Sequence, residues 1–155
     1  MLYLDSSMVV KCYVREKGSE TVLSRLGKKD RVFTSALSYF EVLAALGRKT
    51  RDGTLRKADF EKARDRFLAH WKFSLNVVEL DARTMAGVEE LVVQHPLRGA
   101  DAVHLSAALW LREMCRLALD FASDDSLLEF GVADRRLARV AHECGLSVFN
   151  PEASA

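Results

Sequence analysis

Five short apolar segments separated by helix-length stretches constrain this chain more than any other feature. LYL at the start, RVFTS at 31–35, NVVEL at 76–80, a segment around LLEFGVAD and a last LSVFNP read as strands. Between them run SSMVVKCYV and SETVLSRLGKK, then ALSYFEVLAALGRKTRDG and LRKADFEKARDRFLAHWKF, then ARTMAGVEELVVQ and ADAVHLSAALWLREM, then RRLARVAHEC, all with apolar residues at helical spacing. Ser35 and Ser38 are the candidate caps of the third helix, Asp81 caps the stretch 82–94, and Gly53 and Gly145 stop helices. Strands separated by helices of ten or more residues imply a mostly parallel sheet covered on both faces, an α/β fold in three α/β/α layers. No repeat or Pro/Gly/Ser-rich linker divides the 155 residues, so residues 1–151 are expected to form one domain, with 152–155 a short tail.

The composition excludes several classes. No run of 18 apolar residues exists, so no membrane span is expected, and Asp5 interrupts the first apolar stretch, which argues against a signal peptide. Cys12, Cys115 and Cys144 are scattered, with no C-x-x-C pair and no histidine at zinc-ligand spacing. They read as reduced thiols of a cytoplasmic protein. The charge balance, 23 basic against 22 acidic residues, is not that of a strongly basic nucleic-acid binder, and leaves room for local patches of either sign.

Four acids stand where acids are costly. Asp5 ends the first strand. Glu41, in LSYFEVLAAL, shares a helix face with Leu37, Ala44 and Ala45. Asp101 leads the apolar face of ADAVHLSAAL, and Asp134 repeats the strand-then-aspartate order of YLDSS. Each alone reads more simply as a helix cap or half of an ion pair. Four at equivalent ends of an α/β sheet, with no basic residues at matching spacing, call for a cation. Clustered carboxylates with few His or Cys ligands suit Mg²⁺ or Mn²⁺ rather than Zn²⁺.

YLDSSMVVKCYV, SALSYFEVLAAL, LRGADAVHLSAAL and FGVADRRLARVAHECGL follow one another in the order found in PIN-domain proteins. The chain most resembles the VapC-type toxins of bacterial toxin–antitoxin pairs, over nearly its whole length. The resemblance implies a PIN-like fold and a magnesium-dependent endoribonuclease with a four-acid pocket. Asp5, Glu41 and Asp101 stand at the positions of its first three acids, with Asp5 and Asp101 the main metal ligands. The fourth acid has two candidates, since FASDD and FGVAD both read F-x-x-x-D. Counting forward from Asp101 favours Asp125. Counting back from Gly145 favours Asp134, which is preferred; the helix before it then runs past Cys115 and LLEFGVA is the strand. Ser6 would hold the pocket by hydrogen bonding, or else cap the first helix.

The resemblance also implies an RNA substrate, a cognate VapB-type antitoxin and a homodimer. The helices at 19–28 and 56–73 are the candidate antitoxin groove. Lys11, Arg15, Arg98, Arg135 and Arg136 are candidate phosphate contacts, with Lys11 and Arg15 better read as ordinary solvated charges. His104, three residues after Asp101, reads either as a partner of the acid cluster or, preferably, as a hydrogen-bonded core histidine. The stripe Phe60, Phe67, Trp71 reads as core or dimer contact rather than as a base-stacking platform.

Two kinds of rival remain. A phosphatase of the haloacid dehalogenase kind needs an aspartate where Ser7 stands, and a phospho-receiver needs a lysine that LSVFNP lacks. A catalytically silent PIN scaffold that binds proteins is the non-enzymatic alternative.

Overall fold

The structure is a computed structural model that describes residues 1–29, 31–119 and 127–152. Five strands form one sheet: β1 (Leu2–Leu4), β2 (Val32–Ser35), β3 (Asn76–Val78), β4 (Glu129–Gly131) and β5 (Ser147–Phe149). Their order is β3-β2-β1-β4-β5 and every pairing is parallel. The chain moves outward from β1 in one direction through β2 and β3, then returns to its other side for β4 and β5. The reversal falls between β1 and β4, and crevices beyond the carboxyl ends of strands at such a point are where α/β sheets bind ligands.

The helices are α1 (Ser6–Lys11), α2 (Ser19–Leu26), α3 (Leu37–Arg51), α4 (Lys57–Phe73), α5 (Ala82–Met85), α6 (Val88–Gln94), α7 (Gly99–Leu119) and α8 (Arg135–Glu143). The period-two alternation of β1 divides them into two layers. Leu2 and Leu4 enter a core with Met8, Val42, Leu46 and Phe67 from α1, α3 and α4. Tyr3 enters the opposite core with Leu91, Leu105, Phe130, Leu137 and Val140, and stacks on Phe130 at 5.5 Å. Phe67, fully buried, packs against Trp71 at 5.6 Å, so the aromatic stripe of α4 is core as its spacing implies.

Three local expectations change. The stretch 82–94 is two helices, not one. Asp81 does cap it, with Thr84 completing a capping box, but the first helix ends at Met85, next to Thr84, whose carbonyl accepts the Ser106 hydroxyl of α7 at 2.6 Å. Neither Ser35 nor Ser38 is the formal cap of α3, which Ala36 begins without a side-chain cap bond. Ser35 nonetheless accepts the Leu37 N–H at 3.1 Å, while Ser38 is buried against Thr34 at 2.6 Å, and Thr34 donates to the Leu4 carbonyl at 2.8 Å. Lys11 is no solvated charge: it is 5% exposed and binds Glu16, Glu152 and the Lys17 carbonyl, tying the turn after α1 to the end of the chain.

Gly131 sits where β4 passes closest to β1. A Cβ there would stand 2.8 Å from Leu4 Cδ2 and 3.2 Å from Met8 Cε, and the Gly131 carbonyl accepts the Asp5 N–H at 3.1 Å. Gly131→Ala is therefore expected to destabilise the fold by about 1–3 kcal/mol through overpacking, read as a lower midpoint in urea denaturation with the slope unchanged.

Candidate active site

Asp5 is both a cap and a site acid. It follows β1 directly, is 6% exposed, and begins α1 by accepting the Met8 N–H at 2.9 Å and the Ser7 hydroxyl at 2.7 Å, both on Oδ1. The N-cap of α1 is thus Asp5 and not Ser6. Ser6 instead helps to lower the pKa of the Glu41 carboxyl, while Ser7, which sequence reasoning passed over, fixes Asp5.

Asp101 lies in the first turn of α7, where the helix dipole and the Arg98 backbone N–H favour its charge. Asp134 caps α8 at the end of the segment after β4, accepting the N–H groups of Arg136 at 2.8 Å and Leu137 at 2.9 Å. The helix before it runs past Cys115 to Leu119 and β4 lies at Glu129–Gly131, which is the arrangement that goes with Asp134. Asp125 lies outside the described residues. Glu41 projects from α3, its side chain 31% exposed, and its Oε2 meets His104 Nε2 at 2.9 Å.

These acids act on one another. Burial pushes the Asp5 carboxyl up; His104, Ser7 and Met8 pull it down, Asp101 adds to the rise, and the net direction is upward. Burial likewise raises Asp101, against the Arg98 N–H and with help from Asp134. Glu41 goes the other way: burial would raise it, but His104 and Ser6 outweigh that and hold it below the ordinary range. Among the described residues no lysine or arginine forms an ion pair with any of the four. The other end of the sheet gives the contrast. There the buried Glu129 is held by Arg25 and by Lys29 at 3.3 Å, and its carboxyl is lowered once those bonds overcome burial.

His104 is 2% exposed, and both its ring nitrogens are engaged, Nε2 with Glu41 and Nδ1 with the Tyr3 phenol at 3.2 Å. The two readings of this residue therefore merge: it is a hydrogen-bonded core histidine whose partner is a site acid. Tyr3 carries the one sequence signal that was available, a polar tip at an inward position of a buried strand, which must find a partner.

The donor set fits a hard divalent cation. It is all carboxylate, forms no ion pair with arginine or lysine among the described residues, and is exposed on the side of Asp134, with Asp101 half-buried. Among the described residues no group of three or more His, Cys, Asp or Glu side chains is placed to hold a metal ion. Arg98, Arg135 and Arg136 are exposed around this opening, and Arg136 also bonds the Pro96 carbonyl at 3.2 Å. Arg15, paired with Glu20 at 2.8 Å, remains a solvated surface charge.

The raised Asp5 carboxyl has a stability consequence. A group that binds its proton more tightly folded than unfolded destabilises the fold above its folded pKa, and the penalty shrinks as pH falls toward the unfolded value. Asp5→Asn keeps a good N-cap and removes the buried charge. In chelator at pH 7 it is expected to melt at a higher temperature than the wild type, and the two curves should converge as the pH is lowered through the carboxylate range; calorimetry checks both.

Residues 2–143 match the PIN domain family. Ribonuclease VapC45 of Mycobacterium tuberculosis (strain CDC 1551 / Oshkosh) is 34% identical over 148 residues, which is 96% of this chain and 94% of that protein. Ribonuclease VapC46 of Mycobacterium tuberculosis (strain ATCC 25618 / H37Rv) is 31% identical over 150 residues, 97% of each. Among solved structures, VapBC2 from Rickettsia felis, bound to a DNA fragment from its promoter, superposes with a TM-score of 0.63 at 14% identity, covering 97% of this chain and 98% of that one. FitAcB from Neisseria gonorrhoeae gives 0.62 at 15% identity over 97% and 98%, so the same fold spans both. With the family match running through both layers of the sheet and VapC relatives aligned along almost its whole length, the chain belongs to the PIN-domain family, in its VapC branch.

Proposed function

We propose that this protein is a VapC-type toxin: a metal-dependent endoribonuclease that hydrolyses RNA phosphodiester bonds in the cytoplasm and is held inactive by a VapB-type antitoxin. The observation that carries the reading is the buried Asp5 carboxylate, its pKa raised by burial and in lesser part by Asp101, with no lysine or arginine ion pair among the described residues, at the point where the sheet order reverses. The ribonuclease names of relatives at 34% and 31% identity support the chemistry. No helix among the described residues is long and apolar enough to cross a membrane.

Asp5 and Asp101 would hold Mg²⁺ (or Mn²⁺), with Glu41 and Asp134 binding directly or through water. When bound, such an ion supplies a water that loses its proton readily and offsets charge on the phosphoryl oxygens. The chain itself does the positioning. Ser7 and the Met8 N–H fix Oδ1 of Asp5. His104 and Ser6 keep Glu41 deprotonated and aimed inward. Arg98, Arg135 and Arg136 attract the RNA backbone toward a pocket whose own charge would repel it.

Partner binding belongs to the same proposal. A cleft of about 350 Å³ is lined by Leu23 of α2, Arg66 of α4, and Tyr13 and Val14 between them, so the two helices singled out from the sequence do frame one groove. The groove suits an amphipathic antitoxin segment. A homodimer completes the reading.

Purified protein with Mg²⁺ is expected to cleave a panel of structured RNAs. Excess EDTA should abolish cleavage, and Asp5→Asn or Asp101→Asn should lower kcat by about a hundredfold or more; undiminished cleavage in EDTA would refute the metal-dependent reading, and cleavage by both variants at the wild-type rate would show a contaminant. The fourth acid is tested in the same assay. Asp134→Asn should cost on the order of ten- to a hundredfold, and a larger loss from Asp125→Asn would move that role to Asp125.

A further inference from the structure

We infer that His104 is a positioning residue that holds Glu41 in the acid ring, and that Tyr3 sets the orientation of its imidazole. The inference rests on the nuclease reading of the site and adds to it a relay through the core. Glu41 needs such a grip. It sits on the outer part of α3 with its side chain 31% exposed, and a long carboxylate side chain there has several rotamers available. His104 supplies the restraint from a different element: Nε2 lies 2.9 Å from Glu41 Oε2, and the ring is 2% exposed. The ring is in turn fixed. Tyr3, fully buried on β1 two residues before Asp5, places its hydroxyl 3.2 Å from Nδ1. A phenol that donates to Nδ1 leaves the imidazole hydrogen on Nε2, where it faces Glu41. Residues that orient a ligand from behind in this way typically influence affinity without touching the ion.

The geometry gives α7 a double role. Its first turn carries Asp101, and one turn further His104 reaches across to α3. Two acids from different elements are thereby held in one register by a single helix. Simple packing would not need this arrangement, since a leucine fills the same space without a polar atom aimed at a half-exposed carboxylate.

The test uses the full-length protein, with Mn²⁺ affinity by calorimetry, kcat and KM for RNA cleavage, and melting temperature measured together. His104→Leu is expected to weaken Mn²⁺ binding by about ten- to a hundredfold and to lower kcat with KM for RNA little changed. His104→Gln, which retains an amide N–H toward Glu41, should restore most of that loss. Tyr3→Phe, which keeps the ring and loses only the hydroxyl, should give a smaller loss in the same direction, and it carries the test if His104→Leu does not fold. In a Glu41→Gln background, His104→Leu should cost no further Mn²⁺ affinity, because the two act as a unit. Wild type that binds and cuts beside variants indistinguishable from it would overturn the positioning role alone, as would an equal loss of Mn²⁺ affinity in the Glu41→Gln background. Wild type that neither binds Mn²⁺ nor cuts RNA would overturn the nuclease reading and this inference with it.

Discussion

The structure depends on one electrostatic constraint: a carboxylate at the buried carboxyl end of the central strand, with a second one acting on it and, among the described residues, no lysine or arginine ion pair to either. Asp5 cannot move away. Its N–H is bonded to Gly131 across the sheet at 3.1 Å, and its Oδ1 is tied to Ser7 and Met8 in the first turn of α1. The protein handles another buried acid quite differently. Glu129 has Arg25 and Lys29 at hand and a lowered carboxyl pKa, whereas Asp5 and Asp101 are left raised. One end of the sheet pairs its buried acid, and the other leaves Asp5 and Asp101 with carboxyls that burial raises.

The fold creates this arrangement through the alternation of β1. Leu2 and Leu4 lock one helical layer, and Tyr3 locks the other. The strand is central in an all-parallel sheet, so the residue after it must emerge in the crevice where the strand order reverses. Gly131 permits β4 to run close against Leu4 and Met8, with its carbonyl on the Asp5 N–H, and Asp134, three residues on, acts on Asp101. The two acid-bearing helices then enter from opposite layers, α3 with Glu41 and α7 with Asp101, and His104 joins them across the top of the sheet.

Much of this was legible in the sequence because it is local. The strand–helix alternation, the strand-then-aspartate order at Asp5 and Asp134, and the acids at the heads of apolar faces are all short-range patterns, and they place these residues at one end of the sheet. What was not legible is the pairing of side chains distant in the chain. His104 bonds residues 63 and 101 positions away, and nothing near it in sequence names Glu41 or Tyr3. Lys11 reads as a surface charge because Glu152, which neutralises it, stands 141 positions further on. The break between α5 and α6 lies beside another distant contact: Ser106, from α7, bonds the Thr84 carbonyl, and a Cβ on Gly87 would come within 3.0 Å of that serine.

The acids of the ring are not equivalent, and the difference has a direction. His104 and Ser6 hold Glu41 low, so as pH falls Asp5 and Asp101, both raised, take up protons before it does. Glu41 thus stays anionic without any ion, fixed by donors the fold already supplies. Asp5 and Asp101 are the groups whose charge the metal-free fold opposes most, and they are the ones with most to gain from a bound cation. Binding would release the protons that crowding favours and remove the repulsion that burial amplifies, so folding and metal capture reinforce each other through the same two residues. On the proposed metal-dependent reading, a ring built this way would cost the apo protein stability and return it on loading, which would account for the acids of the crevice lacking the ion pairs that hold the buried acid at the other end of the sheet.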